Sequence, residues 1–167
     1  MLDGLFISEL SDIMWLFNLR GSDIEYTPVA YSYAIVDKNS KGKLYLYQGV
    51  IDDDNLTLIE NIGIELCEYD DFYSDIAKIA GKKIIIDDDT VSYRVYETLN
   101  RENELKEISS SHYIKKHIKN AMQVELSKKY HYADGLAVTK WIYEIKQKIE
   151  NGGCITEYEA AKRMDEI

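Results

Sequence analysis

From Ile114 to Ile149 the sequence has no proline and one glycine, Gly135, while Met122, Leu126, Tyr130, Val138, Trp141, Ile142, Ile145 and Ile149 recur at helical spacing. Everything before it is built differently, from short β-rich runs separated by turn residues. The contrast divides the chain into an α/β part, residues 1–113, and a helical part, residues 114–167. A helical pattern longer than about 25 residues in a small protein means a coiled coil, a break, or a helix shared with something else. A break is expected between Lys116 and Gln123. Asn151-Gly152-Gly153 ends the pattern, and a capping box from Thr156 to Glu159 opens a last helix, Glu157 to Ile167. Tyr158, Ala161 and Met164 form an apolar stripe on that helix. Like the Trp141 face, it needs a second subunit or further sequence to bury it.

The α/β part reads as alternating elements. Leu5-Phe6-Ile7 predicts a short strand, followed by a helix from Ser8 to about Phe17 that Ser11 or Asp12 can cap and Gly21 stops. Pro28, the one proline, sets the backbone before a strand over Val29 to Val36. Asp37 to Gly42 is turn chemistry, and Lys43 to Tyr47 alternates as the second arm of a hairpin. Asp52-Asp53-Asp54-Asn55 lacks the spacing and glycine of a calcium loop and predicts the cap of a helix carrying Leu56, Ile59 and Ile62, with Gly63 closing it. Ile64 to Tyr69 is a strand. Asp70 or Asp71 caps a short helix with Phe72, Ile76 and Ile79, and Gly81 ends it. Lys83-Ile84-Ile85-Ile86 is a buried strand, with Asp87-Asp88-Asp89-Thr90 at its carboxyl end, where open α/β sheets bind ligands. Asp89 or Thr90 is the expected N-cap of a helix carrying Val91, Val95 and Leu99, a reading that weighs above metal binding. Leu105 to Ile108 makes a last strand. The expected fold is α/β, a mixed sheet flanked by helices: the hairpin gives antiparallel neighbours, the strand–helix units parallel ones.

A net charge of −10, from 30 acidic and 20 basic residues, argues against nucleic acid as a partner. Lys115, Lys116 and Lys119, then Lys128 and Lys129, are the local basic candidates and read as a solvated helix face. Two cysteines, Cys67 and Cys154, are too few for a disulfide framework, and Cys67 reads as a small buried hydrophobe. No apolar stretch reaches the ~18 residues of a membrane span, and no basic, apolar leader opens the chain, so a cytoplasmic protein is expected.

One string carries more than its chemistry. In Trp15-Leu16-Phe17-Asn18-Leu19-Arg20-Gly21-Ser22-Asp23-Ile24 an apolar helix face runs into a polar turn, placing Arg20 and Asp23 on a short loop that a rigid scaffold can aim at a cleft. The structural alternative is a helix end with an ordinary Arg–Asp pair. Trp15 and Leu16 are expected inside, the Arg20 to Asp23 loop outside. The string, with Glu25 to Val29 and Tyr31 to Ile35 after it and Asp3 to Ile13 before it, closely resembles the middle domain of the three-domain cytosolic Xaa-Pro aminopeptidases (aminopeptidase P). The resemblance returns in Ile118-Lys119-Asn120, Glu125, His131 with Asp134, the Asn151-Gly152-Gly153 turn and Thr156-Glu157.

The resemblance implies a creatinase-type domain over residues 1–113 and the first helices of an incomplete pita-bread catalytic domain over 114–167. It implies a parent enzyme that removes the N-terminal residue preceding proline, with two divalent metal ions, manganese above others, and a homodimer. The family's metal ligands, two aspartates, one histidine and two glutamates, and its catalytic histidines fall after Ile167. Asp52 to Asp54 and Asp87 to Asp89 are then not ligands, His112, His117 and His131 are not catalytic, and the chain alone holds no metal and no catalytic residue. His131 with Asp134 is a packing and hydrogen-bonding pair on one helix face. Arg20 and Asp23 remain as substrate-cleft candidates. The expected partners are the remainder of the polypeptide or a companion chain, and peptides with proline second; neither nucleic acid nor membrane is expected. The alternative is a stand-alone creatinase-like binding or dimerisation module using the Trp141 helix.

Overall fold

Alternation decides which side chains meet. In a computed structural model, which describes residues 3–47, 49, 51–108 and 114–167, Leu5 and Ile7 of β1 (Gly4–Ile7) belong to one core and Phe6 to another. The same split places Ala34 and Val36 of β2 (Tyr33–Asp37) and Leu44 and Leu46 of β3 (Gly42–Leu46) with Leu5, and Tyr33, Ile35 and Tyr45 with Phe6. Successive side chains on a strand point to opposite faces, so one sheet separates two cores. Helices α1 (Leu10–Phe17) and α2 (Asp53–Asn61) cover the first face. Helices α3 (Phe72–Ile76) and α4 (Tyr93–Asn100) cover the second.

With β4 (Ile64–Glu68), β5 (Lys83–Ile86) and β6 (Glu104–Glu107), the sheet order is β4-β3-β2-β1-β5-β6. The β1–β2 and β2–β3 pairs are antiparallel, and β3–β4, β1–β5 and β5–β6 are parallel. This is the mixed, helix-flanked α/β sheet the sequence predicts. The side of β1 changes the direction of the winding: the chain leaves β1 toward β2 and leaves β5 toward β6, so the carboxyl ends of β1 and β5 flank a switch point.

The caps differ from the sequence reading in ways that share one cause, the competition among neighbouring short polar side chains. Glu9, not Ser11 or Asp12, caps α1, its carboxylate accepting the Ser11 N–H. That helix ends at Asn18 in the left-handed region (φ 53°), ahead of Gly21, with the Asn18 N–H turned back to Met14 and Trp15 carbonyls. Ser92 caps α4 instead of Asp89 or Thr90, because the Asp87 carbonyl takes the Thr90 and Val91 N–H groups in a turn before the helix starts. Neither Asp70 nor Asp71 makes a capping bond; a 3-10 turn over Tyr69–Asp71 leads into α3. Asp52 does cap α2. The strand predicted from Val29 begins only at Tyr33, since Pro28 and Val29 carbonyls bond the preceding loop. Cys67 packs against the second core half-buried, and burial pushes its thiol up to about 11.

On the second face Phe72 is the centre of an aromatic stack. Its ring lies 3.8 Å from Tyr33 at 10° and meets Tyr45 and Tyr73 edge-on at 5.3 and 5.0 Å. Beside it Asp75 accepts from Lys78 and Lys43, both at 2.9 Å, and from the Tyr45 hydroxyl at 3.2 Å. Lys78 first, then Lys43, hold its carboxyl at about 2 against an ordinary 3.8. A depressed folded pKa means stability that is present above the unfolded value and lost as pH falls through the folded one. Acid unfolding is therefore expected to lose stability between about pH 4 and pH 2. Asp75→Asn should flatten that limb in urea melts run across pH; an unchanged limb assigns the acid sensitivity elsewhere.

The chain divides into two compact units, residues 1–117 and 118–167. The first ends in α5 (Ile114–His117); the expected boundary at Tyr113, and His112, lie outside the described residues. The helical run breaks at Ile118–Asn120, where Asn120 and Gln123 form a capping box that starts α6 (Ala121–Glu150). The second capping box, Thr156 with Glu159, starts α7 (Glu157–Asp165). Within this unit Trp141 Nε1 donates to the Ala160 carbonyl at 2.7 Å, and Arg163 grips Glu144 through Nε and Nη2 at 2.7 and 3.1 Å. Neither helix buries a residue: Met122, Leu126, Tyr130, Leu136, Ile142, Ile149 and Tyr158 are exposed, and Trp141 and Met164 are half-buried. His131 and Asp134 do not pair; the imidazole Nδ1 lies 2.9 Å from the Ser127 carbonyl and both side chains are exposed.

Candidate functional site

The loop after α1 is stapled to the chain that leads into β2. Gly21 N–H reaches the Pro28 carbonyl at 3.4 Å and Asp23 N–H the Val29 carbonyl at 3.1 Å. Asp23 Oδ2 accepts the Tyr31 N–H at 2.8 Å. A Cβ on Gly21 would stand 2.6 Å from Val29 and Ala30 backbone atoms, so only glycine permits this approach. Beneath the loop Leu19, Val29 and Ala30 are buried in the first core. The result is a polar rim on a fixed base, with Arg20, Ser22 and Asp23 exposed.

Arg20 and Asp23 form no ion pair with each other. Asp23 is committed to Tyr31, whereas Arg20 Nη1 donates to the Leu19 carbonyl at 2.7 Å and the guanidinium meets no carboxylate among the described residues. Trp15 and Leu16, expected inside, are 40% and 44% exposed. They fall on the outer side of α1 because Ile13, Met14 and Phe17 already fill its inner face. Trp15 becomes one wall of a cleft of about 230 Å³ that Arg20, Thr27, Pro28 and Lys116 also line.

Lys116, read from sequence as solvated, is instead the partner of a buried acid. Its ammonium donates to Asp12 Oδ1 and Ser11 Oγ, both at 2.6 Å, and Ser11 Oγ–H passes on to Glu9 at 2.9 Å. Asp12 is 6% exposed, and its Oδ2 is buried with no hydrogen-bond partner. No local sequence signal announces this pair, whose members stand 104 positions apart.

The second candidate is the turn at the switch point. Ser8 Oγ donates to the Thr90 carbonyl at 3.0 Å, so the protein closes the β1–β5 crevice with its own bond. Asp87, Asp88 and Asp89 bring their carboxylates within 4.8 Å of one another, the one such cluster among the described residues. Asp87 Oδ1 accepts the Asp89 N–H at 3.1 Å, and Asp88 and Asp89 are exposed. Three consecutive carboxylates on one turn do not fit a dinuclear centre, which clamps two ions about 3.5–4 Å apart between ligands from several elements.

The sequence model of the creatinase/prolidase N-terminal domain matches residues 1–123. The chain belongs to that family. Among relatives of this creatinase/prolidase-type chain, a probable Xaa-Pro aminopeptidase P of Sordaria macrospora is 31% identical over 96% of this chain and 28% of its own length. Xaa-Pro aminopeptidase 2 of Mus musculus is 30% identical over 98% of this chain and 25% of its own. The crystal structure of X-prolyl aminopeptidase from Caenorhabditis elegans, described as a cytosolic enzyme with a di-nuclear active site, matches 99% of this chain and 28% of that one with a TM-score of 0.87 at 24% identity. The chain thus spans 25% to 28% of these proteins. Among the described residues, no helix is long and apolar enough to cross a membrane.

Proposed function

We propose that this chain is a non-catalytic part of a metal-dependent Xaa-Pro aminopeptidase that removes the N-terminal residue preceding proline. The observation that carries this reading is similarity along 96–98% of the chain to Xaa-Pro aminopeptidases several times its length. In this reading residues 1–113 are the creatinase-like domain and 114–167 open the catalytic domain. The parent enzyme is a cytoplasmic homodimer that works with two divalent ions, manganese by resemblance, held by residues outside this chain. Arg20 and Asp23 stand on the substrate side of the loop, Arg20 as the contact and Asp23 as the brace that fixes it. The uncovered apolar faces of α6 and α7 support this reading, because burial at about 25 cal/mol per Å² makes leaving many such side chains wet costly.

The purified 167-residue chain is expected to show no turnover of Xaa-Pro peptides with manganese, cobalt or zinc, whereas a polypeptide extended through the catalytic domain turns them over. Metal-dependent turnover by the chain itself would overturn the reading. The same exposed faces favour a second reading, a stand-alone module that dimerises through α6. The mass of the natural protein separates the two: a natural product ending near Ile167 that self-associates supports the module.

A further inference from the structure

We propose that the cleft between Trp15, Arg20, Pro28 and Lys116 docks a peptide carboxylate together with the apolar side chain next to it. The charged side chains lining it are two, both positive, in a chain of net charge −10. A positive recess in an acidic surface concentrates anions where the rest of the protein repels them. The two cations have different roles. Lys116 is neutralised by Asp12 and has spent two of its three N–H groups on Asp12 and Ser11, leaving one donor. Arg20 meets no carboxylate among the described residues and has spent one N–H on the Leu19 carbonyl, leaving a planar fork whose geometry matches a carboxylate.

The apolar half of the cleft is equally specific. Trp15 offers an indole that is 40% exposed and lines the cleft together with Pro28 and Thr27. Tryptophan and arginine are both among the residue types enriched where binding energy concentrates. The volume of about 230 Å³ suits one residue with its carboxylate rather than a larger ligand. The walls do not need to form on binding, because the Gly21, Asp23 and Tyr31 backbone bonds already fix the loop that carries Arg20. The carboxylate comes either from a chain terminus or from an Asp or Glu side chain.

In taking the ligand to be a peptide, this inference rests on the aminopeptidase reading; its test uses binding to the 167-residue chain and no turnover, so the two fail separately. In a Trp141→Phe background the emission reports Trp15 alone. Acetyl-Pro-Phe with a free carboxylate is titrated against the same peptide as its C-terminal amide and against acetyl-Glu-Phe amide. Dissociation constants at least tenfold lower for an acid-bearing peptide than for acetyl-Pro-Phe amide are expected. Arg20→Gln should erase that difference without moving the melting temperature, and Arg20→Lys should keep only part of it. Preference for the free C-terminus assigns the terminal carboxylate, and preference for the internal glutamate assigns the side chain. Equal binding of acid and amide, absence of binding by all three, or a difference that survives Arg20→Gln overturns the proposal.

Discussion

Phe72→Ala is expected to cost the first unit about 3–5 kcal/mol, the range for removing a fully buried aromatic ring. The ring is 0% exposed and meets four others, Phe6, Tyr33, Tyr45 and Tyr73, carried by β1, β2, β3 and α3. Its loss opens a cavity that stiff neighbours on strands fill poorly. Trp15→Ala is expected to cost only about 1–2 kcal/mol, because the indole already keeps 40% of its surface in water. Urea unfolding of both variants checks the pair. Equal losses, or a larger loss for Trp15, show that the indole is a packing residue and remove the physical basis for a cleft built on it.

The contrast between those two aromatics marks how far the chain is legible. The strands follow from period-2 alternation with two hydrophobic faces, as in Leu5-Phe6-Ile7 and Leu44-Tyr45-Leu46, except that loop bonds to Pro28 and Val29 delay the start of β2 to Tyr33. Helix spans were legible within a few residues for the same reason. Caps were legible at Asp52 and Thr156 but not at Glu9-Leu10-Ser11-Asp12 and Asp87 to Ser92, where several side chains have equal local claims and the winner depends on contacts from elsewhere in the fold.

The size and apolarity of Trp15 suggest burial, whereas position on the helix decides it. Ile13, Met14 and Phe17 define an inner stripe, and Trp15 and Leu16 fall beside it. The Arg20 to Asp23 loop was legible as a loop and as exposed. Its internal wiring was not, since Asp23 serves the Tyr31 backbone instead of Arg20. That distinction matters for chemistry: an arginine balanced by its neighbour is a structural ion pair, and one without a carboxylate partner keeps its charge for a ligand.

Lys116→Met is expected to destabilise the first unit by about 3–5 kcal/mol, because it strands the Asp12 carboxylate in the interior with no partner on either oxygen. The side chains of Asp12 and Lys116 are 8% and 24% exposed, so the two ends of the pair are not equivalent. Asp12→Ala leaves an ammonium that can turn to water while keeping its bond to Ser11, and about 1–2 kcal/mol is expected. Combining Asp12→Leu with Lys116→Met should recover most of the loss, since an apolar pair needs no desolvation of charge. The consequence reaches the cleft through two residues: Lys116 lines it directly, and α1, which carries Asp12, also presents Trp15. Lys116→Met should therefore shift the Trp15 emission in the Trp141→Phe background even under conditions where the chain remains folded. Urea melts that rank Asp12→Ala as costly as Lys116→Met show that the pair is exchanged with solvent, and an unmoved Trp15 emission shows that α5 does not shape the cleft.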